Sequence, residues 1–294
     1  ISSQKIVPLF QLAYRSIIDI KGNLYALDLS ILSRIDSKIN LQIGYLEKEK
    51  YKLKTTISDY FLNFKNVSYK FDYFKNLNKK SNNEIFELGP FDLKIDSKYN
   101  YAIIGESGSG KTTFSELLLG LRVPDKGKID FVFCDKKKIR KNKYQNIDVA
   151  LIKKEIFSYV PQKPYFFSGS ILENLIYPSI LELKSNTYSY DKIFYALKIV
   201  AMDKVVEKLG LDHFIGDYGE GLSTGQLQRL GIARAILNKK RFILLDECTS
   251  NLDEYTESLI FEKLNSLEDS CIIHITHKKS IYENVDRIIR IKDK

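Results

Sequence analysis

Thirteen residues in the first half of the chain, YAIIGESGSGKTT at 101–113, leave it few folds to choose from. An apolar run, Tyr101–Ile104, stops at a glycine; the pattern G-x-x-x-x-G-K-T then runs from Gly105 to Thr112, where a helical pattern opens. A glycine-rich turn between a strand and a helix aims backbone N–H groups inward, and the helix N-terminus adds partial positive charge, so the turn cradles phosphate. The motif requires this context. It assigns Gly105, Ser107, Gly108, Ser109, Gly110, Lys111, Thr112 and Thr113 to a nucleotide, with Lys111 reaching the β- and γ-phosphates and the Thr112 hydroxyl on Mg²⁺.

A second string, FILLDE at 242–247, complements the first. A buried strand delivers Asp246 to the metal and sets Glu247 beside it, where a carboxylate can orient or deprotonate an attacking water. The runs YAII (101–104), FSYV (157–160), FILL (242–245) and CIIHI (271–275) are apolar on both faces, which fits buried parallel strands. Helical patterns at 112–121, 190–208 and 223–237 alternate with them, so the expected class is α/β.

GLSTGQLQR at 221–229 holds no acid, base or nucleophile. Ser223 followed three residues later by Gln226 fits a capping box, and Leu227, Leu230, Ala233 and Leu237 recur at helical spacing, so a helix begins here.

Composition narrows the partners. The 294 residues, 44% of them hydrophobic, suffice for one large domain with an appendage. The formal charge of +9 is spread along the whole chain rather than gathered in a patch, which reads against a nucleic-acid partner. Cys134, Cys248 and Cys271 are odd in number and lack CxxC spacing, so neither a disulfide framework nor a zinc site is expected, and a reducing cytoplasm fits. No uncharged run reaches the ~18 residues of a membrane span. The first residue is Ile rather than Met, so the sequence reads as a piece of a longer protein.

Three segments are expected. Residues 1–45 contain an amphipathic helical pattern over 8–35, with Leu9, Leu12, Ile17, Ile20, Leu24, Leu27 and Ile31 on one face. Residues 46–58 are charged and aperiodic, a linker. Residues 59–294 form the compact domain.

The two phosphate-site strings with LSTGQ between them resemble the nucleotide-binding domain of ATP-binding cassette (ABC) transporters, over about 59–294. The resemblance implies a P-loop NTPase core, mainly parallel sheet flanked by helices, with an antiparallel β subdomain and an α-helical signature subdomain. It implies ATP and Mg²⁺ as nucleotide and metal. Gln162 resembles the Q-loop glutamine that contacts the metal and the attacking water, and His277 the switch histidine on the γ-phosphate. SNLD at 250–253 is similar to the D-loop, with Asn251 where Ala is usual. Phe71 falls where the family stacks an aromatic on adenine, a role open also to Tyr69 or Tyr73. In that family the signature binds the γ-phosphate of a second copy's nucleotide, which implies Ser223, Thr224, Gly225 and Gln226 acting in trans in a head-to-tail homodimer; Thr224 replaces the usual Gly.

Finer strings imply a subtype. FFSGSILENL after Gln162, and IGDYGEG before the signature with Asp217 where Glu is usual, resemble exporters. Segment 8–35 resembles the cytoplasmic end of a last transmembrane helix, most like flippases of lipid-linked oligosaccharides. The implied protein is the motor of a membrane exporter or flippase, coupled to a transmembrane domain at the cytoplasmic face of the inner membrane. Two alternatives are weighed. Cassette ATPases of DNA repair and chromosome maintenance interrupt the interval between Q-loop and signature with a long coiled coil, whereas Gln162 to Ser223 is short and continuous. Regulatory cassettes without hydrolysis lose the acid or the histidine, and both stand here.

Overall fold

The computed structural model describes residues 57–72, 85–135, 144–177, 188–267 and 270–291. The amphipathic segment and the linker as far as Thr56 lie outside the described residues; Ile57 already begins a strand.

Two long strands, β1 (Ile57–Asp72) and β2 (Ile85–Asp96), come first, followed by β3 (Tyr101–Ile104), α1 (Lys111–Leu118) and β4 (Lys126–Asp135). Next are β5 (Tyr144–Asp148), α2 (Val149–Ile156), β6 (Phe157–Val160), the two-residue strand β7 (Gly169–Ser170) and α3 (Ile171–Ile176). Helices α4 (Tyr190–Ile199) and α5 (Asp203–Leu209) lead to β8 (Phe214–Ile215) and α6 (Thr224–Leu237). The chain continues through β9 (Phe242–Asp246), α7 (Glu254–Asn265), β10 (Cys271–Ile275), α8 (Lys279–Tyr282) and β11 (Arg287–Arg290).

The four apolar runs are β3, β6, β9 and β10, and they assemble with β11 into one sheet in the order β11-β3-β10-β9-β6. Every pairing in it is parallel. All residues of β3 and β10 are buried, as strands covered on both faces must be. A second sheet, β2-β1-β4-β5, is antiparallel. In β1 the buried positions run Leu62, Phe64, then Val67: the step of three marks a bulge, with Asn66 at φ 49°. Gly127 of β4 sits against this bulge at φ 77°, where any Cβ would strike the carbonyl oxygens of Lys65 and Asn66.

Aromatic rings join the two sheets. Tyr60 of β1 meets Phe242 of β9 edge-on at 5.6 Å, and Phe64 stacks on Phe114 of α1 at 5.5 Å, so the antiparallel sheet braces the helix that follows the glycine-rich turn. Each such buried ring contributes roughly 1.5–3 kcal/mol by burial alone. On the other side, Leu175, Leu197, Leu230 and Ile236 from α3, α4 and α6 pack with Ile243 and Leu245 of β9.

One boundary differs from the sequence reading. The helical pattern 190–208 is split into α4 and α5 by Ala201 at φ 52°, a left-handed residue no helix can contain. The two exporter-like strings also meet: β7, inside FFSGSILENL, pairs antiparallel with β8, whose Ile215 begins IGDYGEG.

Candidate functional site

Because β3, β10, β9 and β6 are parallel neighbours, their carboxyl ends lie side by side along one sheet edge, the position where open α/β sheets bind ligands. The glycine-rich turn follows β3, His277 follows β10, Asp246 and Glu247 stand at the end of β9, and Gln162 follows β6.

The turn is built by its glycines. Gly108 and Gly110 adopt φ 88° and 92°, and a Cβ on Gly105 would lie 2.5 Å from Ser109 Oγ and 2.6 Å from the Ile291 carbonyl oxygen. Lys111 Nζ donates to the carbonyls of Gly105 (2.9 Å) and Glu106 (2.7 Å), which holds its ammonium within the turn. Gly110 gives α1 no side-chain cap, and no acid stands in its first turn, so the N–H groups there are left for an anion. Thr112 is exposed at the start of α1, and Ser109 Oγ is buried without a hydrogen-bond partner among the described residues.

Asp246 Oδ2 accepts a hydrogen bond of 2.9 Å from the phenol of Tyr159 on the neighbouring strand. Burial raises the Asp246 carboxyl above its ordinary range; the Tyr159 hydroxyl opposes this, the adjacent Glu247 adds to it, and Lys111 lowers it.

Glu247 leaves the strand at φ 45°, a left-handed turn held by its N–H donating to the Ile275 carbonyl at 3.0 Å. Its carboxylate is gripped from two sides. Gln162 Nε2 donates to Oε2 at 3.3 Å, and His277 Nδ1 lies 3.2 Å from Oε1. Glu247, read from its place beside Asp246, and Gln162 and His277, implied by the resemblance, therefore share one hydrogen-bonded cluster at the strand ends.

The signature turn begins α6. Ser223 Oγ accepts from the Gln226 N–H (3.2 Å) while Gln226 Oε1 accepts from the Ser223 N–H (2.8 Å), a complete capping box. Ser223 and Thr224 are exposed, and the Ser223 hydroxyl keeps its own proton to donate. Phe71 stands in β1 opposite Phe86, and its side chain lies outside the described residues, as does all of Tyr73.

The residues present fit Mg²⁺. Asp246 offers one carboxylate at the end of β9 and Thr112 an exposed hydroxyl, and Mg²⁺ is commonly held by one carboxylate with hydroxyl, phosphate and water oxygens. Thr112, Asp246 and Gln162 would hold it, and it would neutralise charge on the β- and γ-phosphates.

Three positions escaped the sequence reading. Tyr159 positions Asp246. Lys278, next to His277, donates to both oxygens of the buried Glu257 (2.8 and 2.9 Å) and to the Thr249 carbonyl, tying the switch loop to α7. Gln228 is a buried polar residue on α6. An amide or an acid on a helix face otherwise filled by apolar residues was the available signal.

A family model described as "ABC transporter" matches residues 88–250. The chain belongs to the ABC transporter family. It is an ATP-binding, ATP-hydrolysing domain of that family. The Lactococcin-G-processing and transport ATP-binding protein of Lactococcus lactis is 37% identical over 204 residues, covering 69% of this chain and 27% of the relative. A transport/processing ATP-binding protein, ComA, of Streptococcus pneumoniae is 31% identical over 252 residues, 83% of this chain and 32% of that protein. The chain thus spans about a third or less of these relatives. The structure of a bacterial Atm1-family ABC exporter with ATP bound has the same fold, with a TM-score of 0.63 at 23% identity over 81% of this chain and 38% of that one. Among the described residues no helix is long and apolar enough to cross a membrane.

Proposed function

We propose that this domain is the motor of an exporter at the cytoplasmic face of a membrane, and that two copies close head to tail around two ATP molecules. The observation that carries the reading is the grip of Gln162 and His277 on Glu247 at the edge that also bears the cradle. Glu247 takes a proton from a water whose oxygen attacks the γ-phosphorus, while the bond from that phosphorus to the β–γ bridging oxygen breaks and ADP and phosphate leave; His277 and Gln162 orient the carboxylate and the phosphate; Lys111 and the α1 N-terminus balance phosphate charge. Ser223, Thr224, Gly225 and Gln226 complete the site on the partner's nucleotide, and Phe71 stacks on adenine.

Coupling to a transmembrane domain is supported by the likeness to transport ATP-binding proteins, of which this chain spans about a third or less. Two cargo classes compete. A lactococcin-like cargo, processed as well as transported, is favoured by the names of the lactococcin relatives, and lipid-linked oligosaccharides by the resemblance of segment 8–35 to flippases. Stimulation of ATPase by one cargo and not the other, in liposomes bearing the full-length transporter, separates them.

Light scattering tests the dimer. The Glu247→Gln domain with MgATP should have twice the mass of the same protein with ADP; equal masses in both states contradict the reading.

A further inference from the structure

Gln228 is 1% exposed, on the second turn of α6. Its Nε2 donates to the backbone carbonyl of Gln162 (3.1 Å) and to Ser250 Oγ (3.4 Å), and its Oε1 accepts from the Asn251 N–H (3.3 Å). One amide thus touches the Q-loop and the D-loop from the signature helix. The same helix face makes two close approaches. A Cβ on Gly225, three residues before, would lie 3.2 Å from the Asn251 carbonyl oxygen, and one on Gly231, three residues after, 2.7 Å from Pro164 Cγ in the loop following β6. Residues three apart share a helix face. Gly225, Gln228 and Gly231 therefore form one stripe that seats the D-loop at its start and the Q-loop at its end, with Gln228 bonded to both.

We propose that Gln228 is a positioning residue that locks the signature turn to the Q-loop and D-loop of its own chain, so that a nucleotide engaged by the signature in one composite site orders Gln162 in the other. A buried amide bonded on both its ends fixes the relative placement of its partners more tightly than apolar contact, because when a partner moves the Gln228 amide, itself 1% exposed, is left unpaired away from water. The inference rests on the trans reading of the signature given above.

The test uses heterodimers of a Lys111→Ala chain and a Ser223→Arg chain, both carrying Glu247→Gln to retain nucleotide, with one chain isotope-labelled. The intact site then joins the cradle of the second chain to the signature of the first, whose own cradle is disabled. On adding MgATP, hydrogen exchange at 223–227 and at 160–164 of the Lys111→Ala chain should slow together by tenfold or more. Adding Gln228→Met to that chain should leave the slowing at 223–227 and abolish it at 160–164. Slowing at 223–227 without slowing at 160–164, or slowing at both despite Gln228→Met, overturns the inference. Absence of slowing at 223–227 overturns the trans reading instead, and the inference with it. If the methionine chain does not fold, Gln228→Glu, which keeps the acceptor for Asn251 and loses the donor to Gln162, takes its place with the same expected loss.

Discussion

Glu247 Oε1 stands 3.2 Å from His277 Nδ1, which joins the end of β9 to the segment that follows β10. Glu247→Gln keeps the shape and loses both base and charge. Hydrolysis should fall by ~10²- to 10⁴-fold while ATP affinity stays within a few-fold of wild type. Wild-type turnover in that variant would remove Glu247 from the chemistry.

On the proposed reading Lys111 acts on the bound state as well as on the reaction, since its ammonium is held by the carbonyls of Gly105 and Glu106 within the glycine-rich turn. Lys111→Ala should weaken ATP binding by tenfold or more, measured by calorimetry. Equal affinities in variant and wild type would show that the ammonium does not offset phosphate charge.

The switch loop is anchored one residue beyond His277. Glu257 is buried and both its oxygens accept from Lys278, so Glu257→Gln leaves a poorly matched cation and should cost about 1.5–3 kcal/mol. Turnover at saturating ATP should fall as well. Chemical denaturation reads the first effect and steady-state rates the second; a variant unchanged in both shows that the ion pair fixes nothing.

Legibility followed burial geometry. The strands β3, β6, β9 and β10 could be read because they are apolar on both faces, and the turn between β3 and α1 because two of its glycines, Gly108 and Gly110, stand where positive φ is needed. The antiparallel sheet followed only from family resemblance. The Asn66 bulge shifts the buried set of β1 from Leu62 and Phe64 to Val67, which breaks the alternation a reader would count. The split at Ala201 was hidden for a different reason: alanine is the strongest helix former, yet this one takes a left-handed φ, with its carbonyl accepting from Arg229 of α6. Tyr159, Gln228 and Lys278 act through partners 87, 22 to 66 and 21 residues away, separations that local patterns do not register.

His274 of β10 gives the fold an acid limit. It is buried beside Phe261, and burial alone lowers its pKa to about 4, so it is neutral when folded. The unfolded chain binds a proton near pH 6.5 and the folded chain does not until about pH 4, so stability should fall as pH drops through that window, by on the order of 3 kcal/mol, and gain nothing from this group above it. His274→Phe should remove that part of the loss. Denaturation midpoints at pH 7.5 and 4.5 that separate as widely in the variant as in wild type would assign the acid sensitivity elsewhere.

The central claim is that a catalytic site is shared between two copies, with the Ser223 turn of one against the Lys111 cradle of the other. Ser223→Arg places a bulky side chain on that turn and should abolish hydrolysis while leaving ATP binding to each chain intact; Lys111→Ala should abolish it by weakening binding. Mixing the two inactive chains gives heterodimers in which one site carries both defects and the other carries neither. A helix N-terminus stabilises an anion only within about its first turn, so the intact pairing must bring α6 against the γ-phosphate. The account predicts that ATPase activity returns on mixing, in proportion to the heterodimers counted by differential tags. Heterodimers that form and remain inactive would contradict it.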